Sequence, residues 1–320
     1  MLPLAEGDPS TGWVVNFCVM HNWYLAQFPE EAQAEIWGKR PYIIAPDVAF
    51  PPGRAVKDSG GYRVTARWKW GTGVMNSDWI FGKALVDTPD GPQLGHFLFP
   101  SEEAEVPDVW HLDGMASTGS NDIVVKDLWI PDHRMAFYGD VMAAKGPGAS
   151  AHPDSKLFHM PLIPLLCLGA ALGALGAARS NLEMLRSRLQ THVTVGSGVT
   201  QAERPASQMR LARADLLVRT AENIMRIAAR EAYGLSGVAE PQQELLRLRL
   251  DIAHGVSLCH EAIGLVCESA GSSLHYLSNP MQRHKRDVDV MSTHIVFDMD
   301  VLTEDRGRSL LALPQKYALT

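Results

Sequence analysis

The feature that most constrains the fold is a change of hydrophobic period along the chain. From Tyr62 to Trp70, apolar residues alternate with charged or hydroxyl residues, which predicts a β-strand with one apolar face. From Met209 to Arg230 the apolar residues instead step by three and four, which predicts an amphipathic helix with a narrow packing seam. Strand patterns cluster early and helical patterns dominate after about residue 157. The sequence therefore predicts an α+β protein, with strands and helices in separate layers.

Three further strands are expected around this first one. Turn signals rich in Gly, Pro and Asp separate them. Strands spaced so closely, without helices between them, predict an antiparallel barrel or sandwich. The additional strand candidates are Trp79–Val86, Leu94–Phe99 and Ile123–Ile130.

Helices are expected on both sides of the strands. An apolar helix over Gly12–Gln27 and a second helix opening at Pro29 precede them, and Pro suits the first helical turn. Helices over Gln242–Ala270 and Gln282–Met299 follow them. The predicted units are helical residues 1–40, the strand domain 41–135, a Gly/Pro/Ala/Ser-rich linker loop 136–156 and a helical bundle 157–320.

Charge and motif content exclude several classes of function. The net charge is -7 at pH 7, whereas a general nucleic-acid binder needs a basic face. The sequence has no Gly-x-Gly-x-x-Gly after a strand and no P-loop, so a Rossmann or Walker nucleotide site is not expected. The 4 cysteines form no Cys-x-x-Cys pair, so we read them as small buried hydrophobes and predict no metal site.

The most apolar run of the chain is Leu162–Ala178. It is shorter than the roughly 20 residues that span a bilayer, and it continues into the charged stretch Arg179–Arg188. A buried helix explains it better than a membrane span. Residues Met1–Asp8 lack a basic stretch followed by an apolar core, so we expect no signal peptide and a cytoplasmic location.

Four segments together carry a resemblance to a known family. They are Leu4–Trp13 with His21-Asn22, Gly60–Gly73, Thr118–Pro131, and Gln282–Asp287 with His294 and Phe297-Asp298. In this order and spacing they resemble the acyl-CoA dehydrogenase superfamily, and specifically its two-component flavin-dependent monooxygenase branch. That branch includes the oxygenase components that act on 4-hydroxyphenylacetate, steroid phenols and dibenzothiophene.

The resemblance implies a fold and an assembly. Relatives have an N-terminal helical domain, a central β-barrel domain and a C-terminal four-helix bundle, usually in a homotetramer. Relatives also carry further helices before the position of Leu4, so the chain resembles an N-terminally truncated member in which residues 1–40 are a remnant of the helical domain.

The resemblance also implies a reaction. A separate NAD(P)H-dependent reductase would supply reduced FMN or FAD, and dioxygen would be the co-substrate. The chain would hydroxylate a phenolic or related aromatic substrate through a flavin hydroperoxide. The small aromatic substrate itself is not readable from the sequence.

Cofactor residues are expected at the end of the first strand. A flavin ring needs an apolar wall and polar donors along one edge, which Trp70, Gly71 and Thr72 offer. In the family this position places a hydroxyl near flavin N5, so Thr72 inherits that role. A strand with core tryptophans and a turn glycine is the plainer interpretation. The resemblance places Arg286 beside the flavin. Three arginines are candidates to hold the flavin phosphate, and the sequence does not choose among them: Arg179, Arg186 and Arg188.

Two histidines are the catalytic candidates. His294, predicted on the last helix, faces flavin and substrate by resemblance, and an imidazole can accept a phenol proton or donate one near neutral pH. His21 matches a family histidine that lines the substrate pocket and binds the phenol oxygen, while Trp13 would wall that pocket. Asp47 stands where relatives place a small hydroxyl or neutral residue near the substrate.

Two alternatives remain open at this level. An acyl-CoA dehydrogenase-like flavoprotein that oxidises a CH–CH bond needs a catalytic glutamate. In one large group of relatives this glutamate follows the Arg-Asp step, but here Met291–Val296 contains none. The second alternative is an inactive, truncated scaffold.

Overall fold

A computed structural model describes residues 1–193, 196, 198–238 and 241–317. The chain begins with α1 (Leu2–Gly7), α2 (Pro9–Gln27) and α3 (Glu30–Trp37). Asp8 caps α2, because its side chain accepts a hydrogen bond from the Thr11 backbone at 2.7 Å. The two predicted N-terminal helices are therefore confirmed.

A mixed sheet of 6 strands follows, in the order β5-β2-β1-β3-β4-β6. All four predicted strands are present within longer ones. The strands are β1 (Asp47–Asp58), β2 (Gly61–Gly71), β3 (Trp79–Thr88), β4 (Gly91–Pro100), β5 (Asn121–Pro131) and β6 (Met135–Phe137).

The prediction of a wholly antiparallel sheet was wrong. The β1 strand pairs in parallel with β3, because β2 first pairs antiparallel with β1 and the chain then crosses β1 to form β3 on its other side. The β1 strand was also missed from the sequence, since Pro51, Pro52 and Gly53 resemble a turn signal. The pairing shifts register between Val48 and Gly53, so the prolines lie at an irregularity that a sheet can accommodate.

One face of the sheet is covered along its length and the other only in part. Side chains such as Trp68, Ile80 and Phe99 form a core on the first face. On the other face, Phe81 and Leu98 pack against α2 and α3 in a second core. The segments 80–84 of β3 and 95–99 of β4 are therefore buried on both sides, so a polar residue within them has no solvent-exposed face to occupy.

After α4 (Tyr138–Met142), the rest of the chain is a helical bundle, as predicted. α5 carries the apolar run, and α2 is fixed on it, since Asn16 donates a 3.0 Å hydrogen bond to the Gly169 carbonyl. The unit boundaries at residues 40, 135 and 156 stay predictions. The helices are α5 (Leu162–Thr191), α6 (Pro205–Gly234), α7 (Gln242–Ala270), α8 (Pro280–Ser292) and α9 (Met299–Leu310).

The single helix predicted over Gln282–Met299 was wrong. α8 ends at Ser292, and α9 begins only at Met299. The break is stabilised by Asp298, whose carboxylate accepts hydrogen bonds from the backbone of Asp300 and Val301, both at 3.1 Å. This N-cap starts a new helix in a new direction.

Two helical stretches, Leu162–Thr191 and Gln242–His275, are long and apolar enough to cross a membrane by length and composition alone. Within their most apolar windows, 67% and 56% of the residues are buried in the protein. Burial of this kind is typical of the central helices of a bundle, which agrees with the interpretation of Leu162–Ala178 as a buried helix.

Candidate active site

A row of aromatic rings runs along one side of α2. Trp13, Phe17, His21 and Tyr24 recur at helical spacing, so their side chains lie on the same face. The ring centroids of Trp13 and Phe17 are 4.9 Å apart, those of Phe17 and His21 are 5.6 Å apart, and those of His21 and Tyr24 are 5.5 Å apart. This row connects His294, at one end of the candidate site, with the buried group around Asp47 at the other end.

His294 lies at the first end of the row. It stands in the break between α8 and α9 and not on a helix, which corrects the predicted location. Its ring centroid is 5.5 Å from that of Trp13, in an edge-to-face arrangement. The Val296 backbone N–H points at His294 Nδ1 at 3.4 Å, so this nitrogen is the acceptor and Nε2 carries the proton in the neutral ring.

His21 is held in the opposite tautomer. Its Nδ1 lies 2.6 Å from the Ala45 carbonyl oxygen, and because a carbonyl only accepts, Nδ1 must carry the proton. The Nε2 lone pair is then available to a ligand. The residue is only 3% exposed, and this burial lowers its pKa, with the Lys83 charge adding a smaller effect in the same direction. Desolvation by the neighbouring groups also lowers the pKa of His294, although the residue remains exposed at the surface. Both rings are therefore neutral near pH 7.

The end of β2 presents a flat surface beside hydroxyl groups. Trp70 adopts a φ of 67° and leaves 60% of the residue exposed. The Thr72 hydroxyl is 3.1 Å from Ser120 Oγ, which is in turn 2.7 Å from the Thr118 hydroxyl. An exposed indole beside a chain of hydroxyls suits a planar ring with a polar edge, so these residues fit a flavin.

The same turn lies against α2. At Gly73 the φ is 74°, and a Cβ atom there would come within 2.8 Å of Val14 Cγ1. Only glycine tolerates both the backbone conformation and this close approach. The Trp70–Gly73 turn is thereby held beside the helix that carries Trp13 and Phe17.

Arg286 and Asp287 fasten α8 to the turn at residues 113–118. Arg286 binds the Asp113 carbonyl and donates to Gln282 at 2.9 Å. Asp287 accepts a 2.6 Å hydrogen bond from the Met115 backbone. The guanidinium of Arg286 is thus occupied by protein groups, and its contact with a cofactor stays a prediction.

The three arginines proposed for a phosphate differ in their partners. Arg179 forms ion pairs with Glu6 at 2.9 Å and Glu222 at 3.5 Å, and Arg186 pairs with Glu183 at 2.9 Å. Arg188 has a buried Nε without a hydrogen-bond partner in the described part of the chain. The structure assigns the phosphate to none of them.

A buried ion pair lies at the other end of the aromatic row. Lys83 and His96 are directly opposite each other on β3 and β4. Both donate to the same atom, Asp47 Oδ1, from Lys83 Nζ at 2.5 Å and His96 Nε2 at 3.0 Å. Tyr24 and Tyr138 surround the pair, with the Lys83 ammonium 5.6 Å and 4.7 Å from their ring centres.

The pair fixes the charge state of Asp47. Burial alone would raise the pKa of this carboxyl, but Lys83 and then His96 hold it well below its usual range. Burial, with the Lys83 charge, lowers the pKa of His96 to about 4. Asp47 is therefore ionised and His96 neutral near pH 7.

Sequence reasoning singled out Asp47 but missed Lys83 and His96. In alternating strands these two would occupy the solvent face, but that face is covered by α2 and α3. One signal was available in the sequence, because each of the two is a lone polar residue in a strongly apolar stretch. A lysine is almost never fully buried unless it is paired, so a buried Lys83 would indicate an acidic partner. Their side chains are 2% and 0% exposed.

Comparisons with known proteins give the family of this chain. Residues 168–299 match the family model for the acyl-CoA dehydrogenase C-terminal domain. The chain is 30% identical to a pigment production hydroxylase of Rhodococcus sp. over 96% of this chain and 79% of the relative. It is 31% identical to the oxygenase component of an FADH2-dependent resorcinol hydroxylase of Rhizobium sp., over 98% and 80% of the two chains. The chain belongs to the flavin-dependent monooxygenase family of oxygenase components.

A solved structure of another protein supports the assignment of the fold. XiaF from Streptomyces sp., in complex with FADH2 and glycerol, superposes with a TM-score of 0.91 at 29% identity, over 98% of this chain and 80% of that one. The predicted family, the α+β acyl-CoA dehydrogenase-like fold and the monooxygenase class are confirmed. The residues assigned to the site stay predictions.

Proposed function

We propose that this chain is the oxygenase component of a two-component monooxygenase that hydroxylates a phenolic or related aromatic substrate. The observation that carries the proposal is the pair of oppositely arranged histidines. His21 offers a lone pair and His294 an N–H, at two ends of the row formed with Trp13 and Phe17. An acceptor for the phenol proton and a donor for the oxygen being transferred are the two polar functions that ring hydroxylation needs.

The cofactor in this proposal is reduced FMN or FAD, bound at Trp70, Gly71 and Thr72. When bound, reduced flavin and dioxygen supply the oxygen atom that enters the substrate. The indole of Trp70 would stack on the ring, and the Thr72 hydroxyl, backed by Ser120, would bind its polar edge. Gly71 would contribute its backbone, and it is required for packing because a Cβ atom there would come within 2.6 Å of Ile123 Cδ1 on β5.

Each residue of the pocket has a proposed role. His21 Nε2 accepts the phenol proton and increases the electron density of the ring, and His294 Nε2 donates towards the transferred oxygen. Trp13 forms the apolar wall and excludes water, which would otherwise release the oxygen as peroxide. Arg286 keeps α8, and hence His294, in position through Asp113.

The proposal includes the partners of the chain. An oxygenase component receives its reduced flavin from a separate enzyme, and we propose an NAD(P)H-dependent reductase for this role. We also propose a homotetramer in the cytoplasm, in keeping with the family resemblance.

A single-turnover experiment tests the proposal. The protein is mixed anaerobically with reduced FMN or FAD, then with oxygenated buffer and a set of phenols, and hydroxylated product is counted per flavin oxidised. We expect product in stoichiometric amounts with at least one phenol. Reoxidation at the rate of free flavin, with only hydrogen peroxide formed for every phenol, would contradict it.

A further inference from the structure

Asp47 has the most exposed side chain of the three residues in the buried ion pair. The side chains of Lys83 and His96 are 2% and 0% exposed, whereas 13% of the Asp47 side chain is exposed. An ionised carboxylate thus forms the accessible end of a network whose positive charge lies behind it in the sheet.

This carboxylate has acceptor capacity to spare. The hydrogen bonds from Lys83 and His96 both end on Asp47 Oδ1. The Tyr24 hydroxyl also lies beside Asp47, but a single O–H cannot use both lone pairs of Oδ2. A buried carboxylate oxygen with an unused lone pair favours a ligand that donates a hydrogen bond.

Asp47 and His21 are neighbours, and we treat these two residues as one wall of the candidate site. The Ala45 carbonyl, two residues before Asp47, fixes the His21 ring at 2.6 Å. Burial lowers the pKa of His21 and the Asp47 charge opposes this shift, while His21 in turn adds to the lowering of the Asp47 pKa. The wall therefore presents two acceptors, His21 Nε2 and Asp47 Oδ2.

We infer that Asp47, held as an anion by Lys83 and His96, selects a neutral aromatic substrate that carries a second hydrogen-bond donor, O–H or N–H, in addition to the phenol hydroxyl. This inference rests on the proposed function, since it places the phenol hydroxyl on His21. The second donor binds Asp47 Oδ2. An aromatic carboxylate is disfavoured, because its charge would meet the Asp47 anion in a poorly hydrated place. Lys83 and His96 are positioning residues that act through Asp47.

Three probes of similar size test the inference. Resorcinol has a second O–H, 3-methoxyphenol replaces it by an acceptor, and 3-hydroxybenzoate replaces it by an anion. Their dissociation constants are measured by anaerobic equilibrium dialysis against the protein with excess reduced flavin. Because a hydrogen bond to a charged group is involved, we expect resorcinol to bind about 10- to 100-fold more tightly than either of the others.

Variants assign the effect to Asp47. The Asp47→Asn variant keeps an acceptor for Lys83 but can turn an N–H to the ligand, so the ratio between resorcinol and 3-methoxyphenol should fall below about 3-fold. The double variant Asp47→Asn with Lys83→Met removes both buried charges and should show the same loss if the single variant is poorly folded. Glu35→Gln is the matched control, since Glu35 is a half-buried carboxylate paired with Arg134 elsewhere, and it should keep the wild-type ratio.

The pH dependence tests Lys83. With Lys83→Met, the carboxyl of Asp47 is left among His21, Tyr24, His96 and Tyr138 without its cation, so its pKa rises. The preference for resorcinol should then be lost at acidic pH and return at alkaline pH, while the wild type and Lys83→Arg keep it throughout. A purely structural role for Lys83 would weaken binding of all three probes equally at every pH.

The outcomes separate the inference from the function on which it rests. Equal binding of resorcinol and 3-methoxyphenol by the wild type, or no binding of either, overturns the inference even when other phenols are hydroxylated. A clear preference that disappears only in the Asp47 variants supports it, whatever the turnover. Absence of hydroxylated product from any phenol is a failure of the proposed reaction alone.

Discussion

At the scale of single residues, two backbone contacts set the tautomers of the two candidate catalytic histidines. The Ala45 carbonyl sets one tautomer at His21, and the Val296 N–H sets the other at His294. Two identical side chains thereby become an acceptor and a donor. The sequence could predict both histidines from the family motifs, but not their tautomers, because the backbone partners are chosen by the fold.

The first residue-scale prediction concerns His21. A His21→Phe variant retains the aromatic packing with Phe17 and Tyr24 but removes the acceptor. We expect the hydroxylation rate to fall about 10²- to 10⁴-fold, the usual range for loss of a general base. Single-turnover product analysis measures it. The control His152→Phe alters a histidine that binds Gln33 away from the site and should hydroxylate normally.

The second concerns His294. Because this residue is exposed, His294→Ala should fold normally. We expect flavin oxidation to continue while the fraction converted to product falls, with hydrogen peroxide in its place. Thr293→Val is the neighbouring control, since its hydroxyl binds only the Val290 carbonyl among the described residues. A His294→Ala variant with native product yield would remove the assigned role.

At the scale of elements, the position of α8 depends on one carboxylate. Asp287 accepts hydrogen bonds from Met115 N at 2.6 Å and Ser10 Oγ at 3.3 Å, so it joins α8, the 113–118 turn and α2. Burial raises its pKa, with the two hydrogen bonds opposing that shift. The helix that precedes His294, the helix that carries Trp13 and the turn that carries Thr118 meet at this residue.

Asp287→Ala tests this junction. The variant leaves a buried Met115 N–H without a partner, which costs about 1–3 kcal/mol of unfolding free energy. Urea unfolding measures the loss. Asp289→Ala on the same helix removes half-exposed pairs with Lys285 and His260 and should cost less than about 1 kcal/mol. Similar losses for the two variants would show that Asp287 does not act as a junction.

The wrong prediction of one long C-terminal helix and the missed strand β1 have identifiable causes. The break before α9 could have been found, because Asp298 is a favourable N-cap residue. Strand β1 could not, since its Pro51-Pro52-Gly53 step looks like a turn until the partner strands are known. Here the local sequence predicts the helices and the regular strands well. It fails for an irregular strand such as β1, whose structure depends on pairing with its neighbours in the sheet.

At the scale of the whole molecule, the covered sheet explains what sequence reasoning missed. Lys83 and His96 look like surface residues of alternating strands, and only the packing of α2 and α3 over that face reveals them as buried. The motif residues could be predicted because they recur in a family. The charges that support Asp47 could not, because they depend on which helices cover which face.

Buried neutral histidines make the whole fold sensitive to acid. His96 and His284 both have a pKa lowered to about 4, chiefly by burial. An unfolded histidine titrates near 6.5, so between pH 6.5 and about 4 the unfolded chain binds more protons and stability falls as the pH falls. Each group contributes up to about 1.4 kcal/mol per pH unit in that window.

The prediction is a stability profile measured by urea unfolding between pH 7.5 and 4.5. The wild type should lose stability steadily below about pH 6.5. The His284→Gln variant, which keeps a donor for Asn181, should have a shallower slope in that window. The exposed His260→Gln should leave the slope unchanged. Equal slopes for all three proteins would show that His284 does not contribute.

The joining of Asp47 to Lys83 and His96 also restricts how this enzyme can evolve. A change at Asp47 alone leaves a lysine charge stranded inside the sheet, and a change at Lys83 alone leaves a stranded carboxylate, so each first step costs stability. Only paired replacements avoid that loss, and their effects will not add. If Asp47 selects the substrate as inferred above, a lineage that has acquired these three residues is held to that preference, and directed evolution towards anionic aromatics should proceed by simultaneous substitutions on β1 and β3.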